Sequence, residues 1–122
     1  MISGTKVRQV EPDVTVVELT GHLNLGNTLI GIESSIKRLI DEGARKLVID
    51  VAGVKYIDSA GIGMLVSCTG HIEKSSGRMR VAGAHGSVAK AFEVVHLHRI
   101  TPLDADVALA CANLTAGGAA AV

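Results

Sequence analysis

The sequence predicts an α/β domain in which a mixed sheet of four to five strands carries about four helices. Three observations predict it. Leu47, Val48 and Ile49 form an unbroken β-prone apolar run, the pattern of an interior strand covered on both faces. Between Thr28 and Glu42, the residues Leu29, Ile32, Ile36, Leu39 and Ile40 fall on one helical face while Lys37 and Arg38 face elsewhere. A helix there links a strand at Val14 to Thr20 with the one starting at Lys46, which makes a βαβ crossover and requires a parallel pair. The 122 residues suit one core, and no repeat or long linker divides them.

Taken in order, Thr5 to Val10 alternates poorly and reads as an edge strand. Glu11-Pro12-Asp13 is a turn signal, so this strand pairs antiparallel with the β-branched run Val14 to Thr20, which Gly21 ends. The loop Gly21 to Asn27 follows, with Asn27 as the natural cap of the first helix and Gly43 as its stop. After the strand ending at Asp50, the segment Ala52 to Ile57 contains Gly53 and reads as a loop. A second helix runs from Ser59, its expected cap, to about Ser75, burying Ile62, Leu65, Val66, Thr69 and Ile72. Arg78 to Ala82 returns as a strand parallel to Leu47 to Val51. Ser87 is placed to cap a third helix through Val95, with Val88, Ala91, Phe92 and Val95 inward. Ile100-Thr101 is a short extended piece before Pro102, and Asp104 is the expected cap of a last helix. One domain is expected over residues 1–115, with the Gly/Ala-rich residues 116–122 as a flexible tail.

Composition narrows the function. Twelve basic and twelve acidic side chains cancel, so nothing draws the chain as a whole to nucleic acid or to an anionic membrane. Tyr56 and Phe92 are its aromatic residues, too few for base stacking. Cys68 and Cys111 are far apart in sequence and form no Cys-x-x-Cys pair, as expected of reduced thiols in a cytoplasmic protein. Neither a leader peptide nor an apolar stretch of about 20 residues is apparent. His96 and His98 lack a third ligand in a matching motif, so no metal is expected. The loop Gly83-Ala84-His85-Gly86-Ser87 lacks the lysine and spacing of a nucleotide-phosphate loop, so no cofactor is expected and ATP belongs to a partner.

The segment with chemistry is Asp58-Ser59-Ala60-Gly61-Ile62-Gly63. Ser59 has two readings. In one its hydroxyl caps the helix, contributing about 1 kcal/mol. In the other it accepts a group from a partner enzyme. The small residues Ala60, Gly61 and Gly63 leave little bulk over it, and a helix N-terminus tolerates an added anion. A phosphate of roughly −1.5 to −2 charges beside Asp58 would then reverse the surface charge. Met64, Cys68 and His71 trace a second stripe on this helix, which is either ordinary packing or, through Met64 and Cys68, a shallow apolar docking patch. A hydrolase built on Ser59 with Asp58 or Asp50 and a histidine lacks a Gly-x-Ser-x-Gly elbow and a readable base.

As a unit, the stretch from Gly43 through Lys46-Leu47-Val48-Ile49-Asp50, Gly53-Val54, Tyr56-Ile57 and Asp58-Ser59-Ala60-Gly61 resembles the central motif of the STAS family, specifically its bacterial anti-sigma factor antagonists. The similarity extends to Gly21-His22-Leu23-Asn24, to Ala91-Phe92-Glu93-Val94-Val95 and to Asp104 through Leu109. The resemblance implies a non-enzymatic, single-domain regulator whose Ser59 is phosphorylated by an anti-sigma factor that is also its kinase, with a serine phosphatase restoring it. The partner surface expected from it comprises the loop around Asn24 together with Asp58, Ser59, Ala60, Gly61, Ile62, Gly63, Met64 and Cys68. Many members have Asp where this chain has Asn24. A STAS accessory subunit of a transporter or signalling scaffold is the alternative.

Overall fold

The computed structural model describes residues 5–120, the side chains of 116–120 excepted. Ten residues of β2 (Val14–Leu23) lie between β1 (Thr5–Val10), antiparallel to it, and β3 (Lys46–Ile57), parallel to it. β4 (Arg78–Ala82) and the two-residue β5 (Leu103–Asp104) continue the parallel part, so the mixed sheet of five strands has the order β1-β2-β3-β4-β5. The helices are α1 (Asn27–Asp41), α2 (Ser59–Lys74), α3 (Gly86–Val94) and α4 (Val107–Ala120), with a 3-10 turn at Leu97–Arg99.

The sheet divides two apolar clusters by its pleat. Val17, Leu19, Leu47, Ile49, Met79 and Val81 face the side covered by α1, α2 and α3, where Ile36, Ile40, Leu65, Ile72 and Phe92 complete the main core. On the other side Val14, Val16, Val48 and Ala82 pack on Ala110 and Leu114 of α4. The run Leu47-Val48-Ile49 is therefore buried on both faces, as its composition predicts. No helix among the described residues is long and apolar enough to cross a membrane.

Several local expectations change. β2 does not end at Gly21, and Ala52 to Ile57 is not a loop: Thr20–Leu23 pairs with Gly53–Ile57 and prolongs both strands. Between the pairs Glu18/Asp50 and Thr20/Gly53, and again between Gly21/Val54 and His22/Tyr56, β3 carries one residue more than β2. Such bulges break the alternation that marks a strand in sequence. Asp50 Oδ1 accepts the Ala52 N–H at 3.0 Å across the first of them. Three expected caps also move. α1 starts after Gly26 with no side-chain cap in place of Asn27, α3 starts after His85 rather than Ser87, and Leu109 N–H is held by Asp106 Oδ1 at 2.8 Å at the start of α4. Asp104 instead takes Arg80 at 2.6 Å and Asn113 at 2.7 Å. Val95 is exposed, and Ile100-Thr101 is not a strand, the fifth strand being Leu103–Asp104. Of the expected tail, residues 116–120 continue the backbone of α4 while 121 and 122 lie outside the described residues.

Candidate functional site

β3 extends well past the end of β4, and only Asp58 separates β3 from the start of α2, so the Asp58-Ser59 pair stands at the carboxyl end of the parallel strands. The β2 end, Leu23, is alongside, because Asp58 N–H donates to Leu23 O at 3.2 Å. Gly61 makes this closeness possible. A Cβ there would meet Leu23 O and would lie 2.7 Å from Ile57 Cγ1, so only glycine lets the first turn of α2 rest on the paired strand ends. Gly63, by contrast, faces open space.

The cap of α2 is Asp58, not Ser59. Asp58 is extended, and its Oδ1 accepts the Gly61 N–H at 2.9 Å. Its Oδ2 accepts the Leu25 N–H at 3.0 Å, a bond spanning 33 residues that ties the loop after β2 to the helix start. These bonds, Gly61's first and Leu25's second, hold the Asp58 carboxyl below its ordinary value of 3.8, and it is ionised at neutral pH. Ser59 is consequently the first helical residue, exposed, and its Oγ has no hydrogen-bond partner among the described residues. A hydroxyl without a local bond, at the positive end of a 16-residue helix, is free to accept a group from outside.

The other predicted site residues fall into three sets. Asn24, Ser59 and Gly63 are exposed; Asp58, Ala60 and Ile62 are half-buried; Gly61, Met64 and Cys68 are buried. Met64 is 2% exposed and Cys68 fully enclosed in the main core, so the apolar patch expected of them is not at the surface. The stripe expected to be buried moves around α2 accordingly, with Ile62 and Val66 at its margin. Burial, and next the charge of Glu33, pushes the Cys68 thiol up to about 12, which leaves it protonated and inert.

The structure brings three unforeseen side chains to the same end. Leu25 in the loop is 78% exposed, Ile30 in the first turn of α1 is 61% exposed, and Tyr56 at the end of β3 is 48% exposed, its ring edge-on to His22 at 5.9 Å. A leucine between Asn24 and Gly26 and an isoleucine beside rather than on the Leu29-Ile32-Ile36 face were visible signals. An open depression of about 550 Å³, lined by residues such as Glu73, Arg78, Arg80 and Leu114, lies at the start of β4, the opposite end of the strands from Ser59. No group of three or more His, Cys, Asp or Glu side chains among the described residues is arranged to hold a metal.

A family model described as the STAS domain matches residues 5–110. Among solved structures, the chain is similar to an anti-sigma factor antagonist from Mycobacterium paratuberculosis, at 22% identity over 91% of this chain and 92% of that one, with a TM-score of 0.78. It is similar to the Bacillus cell fate determinant SpoIIAA in its phosphorylated form, at 21% identity over 89% and 97% of the two chains, TM-score 0.69. A sulfate transporter family protein from Wolinella succinogenes also matches, at 17% identity over 88% and 89%, TM-score 0.72. At such identities these likenesses speak to the fold.

Proposed function

Because the chain belongs to the STAS domain family, we propose that it is an anti-sigma factor antagonist that binds a serine-kinase anti-sigma factor, frees the sigma factor, and is switched off by phosphorylation of Ser59. The observation that carries this reading is the exposed Ser59 Oγ, relieved of capping by Asp58. In the proposed step Ser59 Oγ attacks the γ-phosphorus of ATP held by the partner, ADP leaves, and the hydroxyl proton passes to a base of the partner. The chain is a substrate and a switch rather than an enzyme, working in the cytoplasm, and a serine phosphatase resets it.

The switch follows from charge. A dianion added beside ionised Asp58 would be desolvated in a closed interface, and an unpaired buried charge costs several kcal/mol. Residues Asn24, Asp58 and Ser59 to Gly63 are the proposed contact set, joined by Leu25, Ile30 and Tyr56. Met64 and Cys68 act beneath it as packing.

The test is intact mass and phosphosite mapping after incubation with ATP and each candidate anti-sigma kinase from the same cell, followed by binding. One phosphate at Ser59 that releases the partner is the expected result. Ser59→Asp should weaken binding by about tenfold or more, equivalent to about 1.4 kcal/mol, and a Ser59→Asp protein that binds like wild type would overturn the switch. The likeness to a sulfate transporter family protein favours one second reading, an accessory domain in which Ser59 is unmodified. Stable association with a transporter subunit, together with no phosphorylation by any of the kinases, would select it.

A further inference from the structure

We infer, resting on the function proposed above, that Asp58 is a positioning residue that presents Leu25 as the apolar anchor seated in a pocket of the anti-sigma kinase. The argument begins with the two oxygens of one carboxylate. Oδ1 caps α2 through Gly61 N–H at 2.9 Å, a local task; Oδ2 reaches across to Leu25 N–H at 3.0 Å, a task the helix does not need. The loop at residues 24–26 belongs to neither β2 nor α1. Its other backbone tie is Gly26 O, which accepts the Ile30 N–H at 3.2 Å from the α1 side. Leu25 itself is therefore held on the site side by Asp58.

Among the described residues Leu25 is the most exposed of the large apolar side chains, at 78%. A leucine kept in water on a fixed loop gains on association what it forgoes in the free chain, and fixing it beforehand removes the ordering cost of binding. Because Asp58 also adjoins Ser59, the tie sets the anchor and the acceptor hydroxyl in one frame, so docking of Leu25 would bring Ser59 to the partner's ATP. No side chain is ion-paired with Asp58 among the described residues, so Oδ2 is not diverted from the loop.

The test is steady-state phosphorylation of the full chain by a purified serine-kinase anti-sigma factor from the same cell at saturating ATP, comparing wild type, Leu25→Ala, Asp58→Asn and the double variant. Asparagine keeps one oxygen for the cap but cannot accept from Leu25 as well. The KM for the chain is expected to rise about tenfold in Leu25→Ala and about threefold or more in Asp58→Asn, with kcat unchanged and the double variant no worse than Leu25→Ala. Should Asp58→Asn fold poorly, Asp58→Ser, which retains a capping oxygen, serves in its place. In the chain alone, hydrogen exchange of the Leu25 amide should quicken in either Asp58 variant while that of Gly61 is retained. A fall in kcat at unchanged KM, additive effects in the double variant, unchanged KM in Leu25→Ala, or unaltered Leu25 exchange would each overturn the inference while Ser59 is still phosphorylated. A wild-type chain that no kinase phosphorylates would overturn the proposed function and the anchor role together.

Discussion

α2 and α3 each follow a parallel strand and carry a serine in the first turn, yet their beginnings are built differently. At α2 a carboxylate does the capping and Ser59 Oγ is left without a partner among the described residues. At α3 there is no side-chain cap; Ser87 Oγ donates to Lys55 O at 3.3 Å and His85 Nε2 bonds Ala52 O at 2.9 Å. Those two side chains occupy backbone acceptors of β3 beyond the point where β4 stops pairing with it. The same residue type therefore closes a strand edge in one place and stands open to a partner in the other. What separates them is not capping, which neither serine does, but whether a backbone acceptor lies within reach of the hydroxyl: Lys55 O takes that of Ser87, and among the described residues none takes that of Ser59.

The contrast can be broken at its strongest point first. With no side-chain cap, α3 depends on packing, and Phe92, 1% exposed in the main core, is its largest anchor. Phe92→Ala should cost about 3–5 kcal/mol, read as a lower urea midpoint, and should free the amides of α3 before those of α2 in hydrogen exchange. Next comes Gly61. Alanine is the better helix former by about 1 kcal/mol, yet its Cβ would run into Leu23 O and Ile57, so Gly61→Ala should destabilise by about 1–3 kcal/mol. Gly63→Ala, with open space around it, should stabilise by up to about 1 kcal/mol, and the opposite signs of these two neighbours are the check on the close approach.

Smaller effects sharpen the cap assignment. Asp58→Ala should lower the unfolding midpoint, whereas Ser59→Ala should leave it within about 0.5 kcal/mol of wild type, because Oγ forms no bond that could be lost. If the two results were exchanged, Ser59 rather than Asp58 would be the cap. The pH dependence has the matching sign. Asp58 is depressed below 3.8 in the folded chain, by Gly61 and then Leu25, so between the two values the unfolded state binds more protons. The stability it contributes is fully present above about pH 4 and is lost as pH falls through the lower, folded value. A urea series from pH 5 downward should show this loss in wild type and less of it in Asp58→Ala.

Much of this site was legible from residue order. The Asp58-Ser59-Ala60-Gly61 run, the strand before it and the helix after it were all readable, because each rests on local pattern: a continuous apolar run, a polar pair, then helical spacing. The identity of the cap was not. Asp and Ser are both good caps, and adjacent candidates differ only in where the first helical turn starts, which here is set by Gly61 resting on Leu23 and Ile57. Met64 and Cys68 were ambiguous for a similar reason: a helix packed against both the sheet and α1 buries a face whose direction depends on how it is seated. Leu25 shows in the sequence only as one apolar residue in a polar loop, a weak signal because a single residue has no period.

Sequence by itself determined the α/β class, the βαβ order, the doubly covered strand at Leu47-Val48-Ile49 and the serine at the head of α2, all of which follow from local periodicity and turn chemistry. Tertiary structure alone decided that β2 and β3 run on past their bulges, that Asp58 takes both Gly61 and Leu25, and that Ser59 is thereby left free. Those outcomes depend on hydrogen bonds between segments some thirty residues apart, such as the Leu25 to Asp58 bond spanning 33 residues. Their partners are fixed only when the sheet brings the two strand ends side by side.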